Sequence, residues 1–301
     1  MRAHDVRRRD MAVDSTAIAI VVLAASACGR HPAVRETVRR DFEVVSLSAS
    51  PPGLSDLTVG PHQALWTIAE RDRVLVEIKL GKHTAKTRTV PIDGVPAGID
   101  TEGLAWLGGD RFAISYEGKY APTAGILWIQ LHGGRATVTG GRTLTSEELG
   151  VTLTPNHGAE ALCGTANDLL VGIETWAILP EGGRYAPIAR LRGDTTSIVK
   201  FRLTSERGKI SALTCTIDAA GAAHGLAIER HFGVSRVLAF TIPRDATEVT
   251  PTILLDLSVA IHDTLNLEGI AELHDGRIVI VNDNQSTVIE APNELLVFPA
   301  R

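Results

Sequence analysis

Residues 266–284 read Asn266-Leu267-Glu268-Gly269-Ile270-Ala271-Glu272-Leu273-His274-Asp275-Gly276-Arg277-Ile278-Val279-Ile280-Val281-Asn282-Asp283-Asn284. A carboxylate, a small residue and an aliphatic pair lead into an Asp-Gly turn, and the apolar run that follows ends on a second carboxylate. Asp-Gly between apolar runs is a hairpin signal. The unbroken run Ile278–Val281 implies burial on both faces of its strand. The stretch therefore predicts two antiparallel strands, the second sandwiched between neighbouring layers.

The same phrase recurs upstream. It reads Asp56-Leu57-Thr58-Val59 with Leu65–Glu70, Glu102-Gly103-Leu104-Ala105 with Phe112–Glu117, and Glu160-Ala161-Leu162-Cys163 with Leu169–Glu174. A degenerate copy, Ser211-Ala212-Leu213-Thr214-Cys215 with Leu226–Glu229, lacks the first acid. Copies begin roughly every 46 to 58 residues, about the length of a propeller blade. Two further strands are predicted after the pair, such as Val74–Leu80 and Lys86–Ile92, or Ala186–Arg192 and Ser197–Leu203. The last copy ends after its third strand, Leu295–Phe298, while Phe42–Ser48 reads as a strand without a copy of its own. Letting the N-terminal strand complete the last blade closes the ring and removes exposed edges. The expectation is an all-β protein, a single β-propeller of five four-stranded blades. A sixth blade would need a copy that is not visible.

Residues 1–28 read as an export signal. Arg2, Arg7, Arg8 and Arg9 precede an apolar stretch from Ala17 to Ala27, too short to span a bilayer comfortably. Ala25-Ser26-Ala27-Cys28 resembles a bacterial lipoprotein site with Cys28 lipidated, although Ala25 stands where such signals usually have Leu. Residues 29–40 suit a tether, and 41–301 form the propeller domain. The expected location is the cell envelope, on the periplasmic side or outer surface. Cys163 and Cys215 lie in apolar strand patterns and are expected as buried free thiols, with a single bridge left open. The net charge of −5 disfavours nucleic-acid binding; a monomer is expected.

In an up-and-down blade, the start of strand one and the end of strand two share a face. Asp56 with Glu70, Glu102 with Glu117, Glu160 with Glu174, Glu268 with Asp283, and Glu229 alone should therefore crowd one channel mouth. Packed like charges raise one another's pKa. Backbone amides, Arg230 beside Glu229, or a divalent cation would offset that, and Asn266, Asn282 and Asn284 add neutral oxygens. The competing reading makes the acids hydrogen-bond acceptors that tie blade to blade. His157 and His231 approach the same face. The sequence contains no Gly-x-Ser-x-Gly elbow, P-loop or paired-Cys zinc spacing.

These residues carry a family resemblance. Asp100–Ala105, Asn156–Glu160, Leu226–Arg230 with its Ala-Ile-Glu-Arg segment, and the Asn-x-Glu-Gly-Ile-Ala…Asn-Asp-Asn segment resemble the phytase-like domain family, also labelled "esterase-like activity of phytase". The resemblance runs from about residue 54 to the C-terminus. It implies an exported, often metal-assisted propeller linked to phosphoester or ester hydrolysis. Individual Glu-Gly phrases also resemble lactonase-type propellers, which hold Ca²⁺ at the channel mouth. On the leading reading, a Ca²⁺-assisted hydrolase of phosphoesters or esters, Glu268, Asn282, Asp283 and Asn284, then Glu102 and Glu160, are the expected ligands. Glu117, Glu174 and Glu229 are the candidate general bases, and Arg230 and His231 the candidate stabilisers of negative charge. A non-catalytic envelope binding propeller and a lactonase-like hydrolase are the alternatives.

Overall fold

Apolar runs bounded by Gly, Asp and Asn turns become strands along the whole chain. In the computed structural model, residues 42–47, 50–258, 265–283 and 293–300 are described. The signal segment with Cys28, the tether and Asn284 lie outside them.

The first strand, β1 (Glu43–Ser46), precedes a unit of β2 (Leu54–Val59), β3 (Leu65–Ala69), β4 (Val74–Leu80) and β5 (Ala85–Asp93). A second unit holds β6 (Ile99–Gly108), β7 (Arg111–Gly118), β8 (Ala124–His132) and β9 (Arg135–Leu144). One helical turn, α1 (Ser146–Leu149), leads to the third unit. This contains β10 (Ala159–Thr165), β11 (Asp168–Ile173), the short β12 (Ala177–Ile178), β13 (Arg184–Arg192) and β14 (Thr195–Arg202). The fourth is β15 (Lys209–Ile217), β16 (Ala223–His231), β17 (Val234–Ile242) and, past β18 (Glu248–Val249), β19 (Thr252–Asp256). The last is β20 (Asn266–Glu272), β21 (Ile278–Asp283) and β22 (Glu294–Phe298). Here β1 pairs antiparallel with β22, Val45 opposite Leu295, and supplies the fourth strand.

Each unit is an antiparallel meander, and short parallel contacts of β5 with β9 and of β14 with β18 join outer edges. The innermost strands close on themselves: β2 packs on β6, β6 on β10, β10 on β15, β15 on β20, and β20 on β2. Five apolar clusters lie between successive units. Ile228 and Val237 meet Ile270 and Ile280 in one, and Val279 and Val281 meet Leu54 and Leu57 in another. The described residues thus form a β-propeller of five four-stranded units. Its continuous apolar strands are those with a neighbour on both faces.

In each unit the pairing of the innermost strand with the second is broken at the repeated phrase. The register shifts between Ser55 and Thr58, Thr101 and Leu104, Ala159 and Ala161, Ile210 and Ala212, and Leu267 and Gly269. Asp56, Glu102, Glu160, Ser211 and Glu268 occupy these bulges, which turn a side chain out of the ladder. Asp56 adopts a left-handed φ of 51° and is fully buried. Its Oδ2 accepts from Leu104 N at 2.8 Å and Leu162 N at 3.1 Å, and its Oδ1 from Leu57 N at 2.8 Å. One carboxylate therefore ties the first unit to the second and third. The fifth unit approaches it just as closely: a Cβ on Gly269 would lie 2.4 Å from the Asp56 carbonyl carbon.

The expectation of free thiols is corrected. Cys163 on β10 and Cys215 on β15 form a disulfide, with Cα atoms 5.4 Å apart. The two strands belong to different units, and their side-by-side packing brings the sulfurs together.

Two outcomes follow for stability. Asp56→Ala leaves the buried amides of Leu104 and Leu162 without an acceptor and should cost about 2–5 kcal/mol in urea unfolding. Replacing both cysteines by alanine removes a cross-link between residues 52 apart, and should cost about 4 kcal/mol on the chain-entropy model.

Candidate functional site

Paired strand ends set the acid that closes the second strand beside the start of the first. Asp100 lies opposite Glu117, Asn266 opposite Asp283, and Ile210 opposite Glu229. Glu70 N donates to Gly53 O at 3.0 Å, and Glu174 N to Gly158 O at 3.0 Å. The acids of different units then converge at one mouth. Glu117 of the second unit and Glu160 and Glu174 of the third are all buried, and one oxygen of each lies within 4.8 Å of the others. Glu117 Oε2 accepts from Gly158 N at 2.8 Å. A side chain at 158 would have its Cβ 2.7 Å from that of Glu117, so glycine there permits the approach.

Two cations from the fourth unit lie among the acids of this mouth. Lys209 Nζ contacts Glu174 Oε1. Arg230 grips Glu268 of the fifth unit through both Nε and a terminal nitrogen. Glu174 Oε2 is buried without a hydrogen bond, with His157 Nε2 3.9 Å away.

Burial dominates the electrostatics. The carboxyl of Glu117 is pushed up to about 7 by desolvation, against the Gly158 amide and with Asp100 adding to the rise. That of Glu160 also reaches about 7, through desolvation and Glu117, with Lys209 and Arg230 opposing. Glu70 and Glu102 are raised well above the usual range by burial and by neighbouring carboxylates. Glu268 is raised by burial, with Arg230 opposing. Asp56 is raised by burial despite its three amides. Lys209 is lowered by burial and by Arg230. His231 is lowered by burial and by Lys209, Arg230, Arg184 and Arg207, so its ring favours the neutral form.

The site residues named from sequence fall into separate groups. Glu117, Glu160 and Glu174 form the trio. Glu102 is buried, with Ser55 Oγ 3.4 Å from its Oε2. Glu268 is occupied by Arg230 and by Asn266 Nδ2 at 2.7 Å. Asp283 accepts from Asn266 Nδ2 at 3.2 Å, and Asn282 Oδ1 accepts from Glu294 N at 2.7 Å within its own unit. Glu229 accepts the backbone and hydroxyl groups of both Thr204 and Ser205, which anchors the turn before β15. His231 is exposed at the end of β16. Lys209 escaped sequence reasoning. The available signal was a basic residue two positions before the copy that lacks its first acid.

The sequence profile described as "Phytase-like: Esterase-like activity of phytase" matches residues 51–286. The chain belongs to the phytase-like family. None of the curated proteins compared matches this phytase-like chain. Among solved structures, it is similar to the PQQ-bound aldose sugar dehydrogenase of Streptomyces coelicolor. Identity is 11%, covering 85% of this chain and 98% of that one, with a TM-score of 0.48. The soluble aldose sugar dehydrogenase of Escherichia coli gives 13% identity, 86% and 100% coverage and a TM-score of 0.45. The calcium-binding protein regucalcin of Agrobacterium tumefaciens gives 12%, 85% and 94%, and 0.39.

The raised carboxyls set a pH dependence. Glu117 and Glu160 bind more protons folded than unfolded between their ordinary range and about 7. Stability from this source is therefore full below the unfolded pKa and lost as pH rises through about 7. With chelator present, the melting temperature should rise by a few degrees between pH 8 and pH 5.5, on the order of 2–4 °C per kcal/mol. Glu117→Gln/Glu160→Gln should flatten that slope.

Proposed function

We propose that this phytase-like propeller is an exported, lipid-anchored hydrolase of phosphoesters or carboxylic esters, lactones included, that works with Ca²⁺ at the mouth. The observation that carries the reading is the buried trio Glu117, Glu160 and Glu174, with oxygens within 4.8 Å of one another. The donor set suits a hard cation, and the buried Glu174 Oε2 without a hydrogen bond is an oxygen still to be satisfied. Ca²⁺ takes about six to eight oxygens, so a site built on the trio keeps positions for water and substrate. Bound there, Ca²⁺ would polarise a phosphoryl or carbonyl oxygen and lower the pKa of an attacking water.

Glu117 is oriented by the Gly158 amide, and as one of the carboxylates that would hold the ion it would stand beside a bound water and take its proton as general base. Neutral His231, exposed at the mouth, can donate its ring N–H to developing negative charge. Arg230 keeps Glu268 neutralised and in place.

Export is supported by the Cys163–Cys215 disulfide, a bond that persists in oxidising compartments. Phe42 packs on Phe298 at 4.9 Å, at the end of β1 opposite the mouth.

Thermal melts of the purified protein with chelator and with Ca²⁺, Mg²⁺ or Zn²⁺ test the reading. At 100 times Kd, mass action adds about 2.7 kcal/mol, a rise of roughly 5 to 10 °C. Glu160→Gln should lose most of the Ca²⁺ rise. A wild-type melt unmoved by every cation would remove the metal and leave the acids as inter-unit acceptors.

One observation favours a second reading, a binding propeller. Tyr120, Trp176 and Phe232 are 80%, 47% and 70% exposed. They sit between the second and third strands of three successive units, on the side of the acids. Without a cation response, this face becomes the recognition surface.

A further inference from the structure

Lys209 opens β15 directly opposite Arg230 on β16. Like charges so placed are unfavourable in a sheet, and each is answered by a carboxylate from a different neighbouring unit. Arg230 takes Glu268 through two nitrogens of its planar fork. Lys209 reaches Glu174 at one oxygen, from a flexible four-carbon stem whose side chain is 24% exposed. The remaining oxygen of Glu174 is buried without a hydrogen bond, and Glu174 is one of the three carboxylates that converge, with Glu117 and Glu160. The two cations therefore differ in kind. One is locked by a two-point grip, and the other is a single-point tenant of the carboxylate cluster.

We propose that Lys209 is an internal counter-ion that occupies the trio until a divalent cation displaces it from Glu174. The inference rests on the cation site proposed above. An ammonium and a divalent ion on one carboxylate repel each other at short range, so binding of the ion opposes the Lys209–Glu174 contact. The exchange replaces one positive charge by two among the three carboxylates and sends the lysine toward solvent. The lysine would thus weaken cation binding while keeping the empty cluster folded.

Calorimetric titration of the whole protein with Ca²⁺ alone, for wild type, Lys209→Gln and Lys209→Arg, tests this. Lys209→Gln should bind at least tenfold more tightly, and Lys209→Arg, which keeps the charge, no more tightly than wild type. A fixed strut that shapes the site predicts the opposite, weaker binding in the Gln variant. If the Gln variant fails to fold, wild type suffices: saturating Ca²⁺ should raise the acetylation rate of Lys209 several-fold, read by mass spectrometry. Unchanged or slower labelling overturns the proposal. Ca²⁺ binding by wild type with equal or weaker binding in Lys209→Gln overturns this inference alone. No binding by either removes the cation site as well.

Discussion

The ring is organised around a carboxylate taken out of water. Asp56 is fully buried and accepts amides from its own strand and from the innermost strands of two other units. Its location has a physical logic. Each innermost strand breaks register at the repeated phrase, and a bulge leaves amides without a ladder partner. A buried amide without an acceptor is costly, and one carboxylate with several lone pairs satisfies three of them. The bulge, the left-handed backbone of Asp56 and the close approach of Gly269 are parts of one solution. The five apolar layers then fill the space between units whose relative positions that centre sets.

The other acids at the repeated position share the bulge and differ in what surrounds them. Glu268 faces Arg230, Glu102 lies among carboxylates, and Glu160 stands beside Glu117 and Glu174 with Lys209 nearby. The same local geometry thus yields a structural hub, an ion pair and an under-neutralised cluster within one ring. In the cluster, desolvation outweighs the opposing cations and keeps two carboxyls near 7. Charge that the protein does not fully compensate is the feature that points to a ligand.

Much of this was legible beforehand because it depends on short-range chemistry. Asp275-Gly276 and the run Ile278–Val281 marked a hairpin inside a stack, and the hairpin formed. Phe42–Ser48, a strand with no copy of its own, pointed to closure, and Glu43–Ser46 pairs with the third strand of the last unit. The acids were placed on one mouth from strand direction alone. What each acid does there was not legible. Glu229 reads like Glu174 in the repeat, yet the turn at Thr204 and Ser205 folds over it and takes its oxygens. Cys163 and Cys215 read as buried thiols in apolar strand patterns with a bridge left open, and Lys209 lies outside the repeated phrase.

Periodicity, turn chemistry and the recurrence of one phrase determined the strands, their order and the face that carries the carboxylates, since each follows from local backbone preference and burial. Which groups meet across units was decided only by the tertiary structure. The disulfide, the Glu117–Glu160–Glu174 convergence and the Lys209–Glu174 contact each join neighbouring units. Such distances are set by how neighbouring sheets pack side by side, and a repeat read one copy at a time does not contain that spacing.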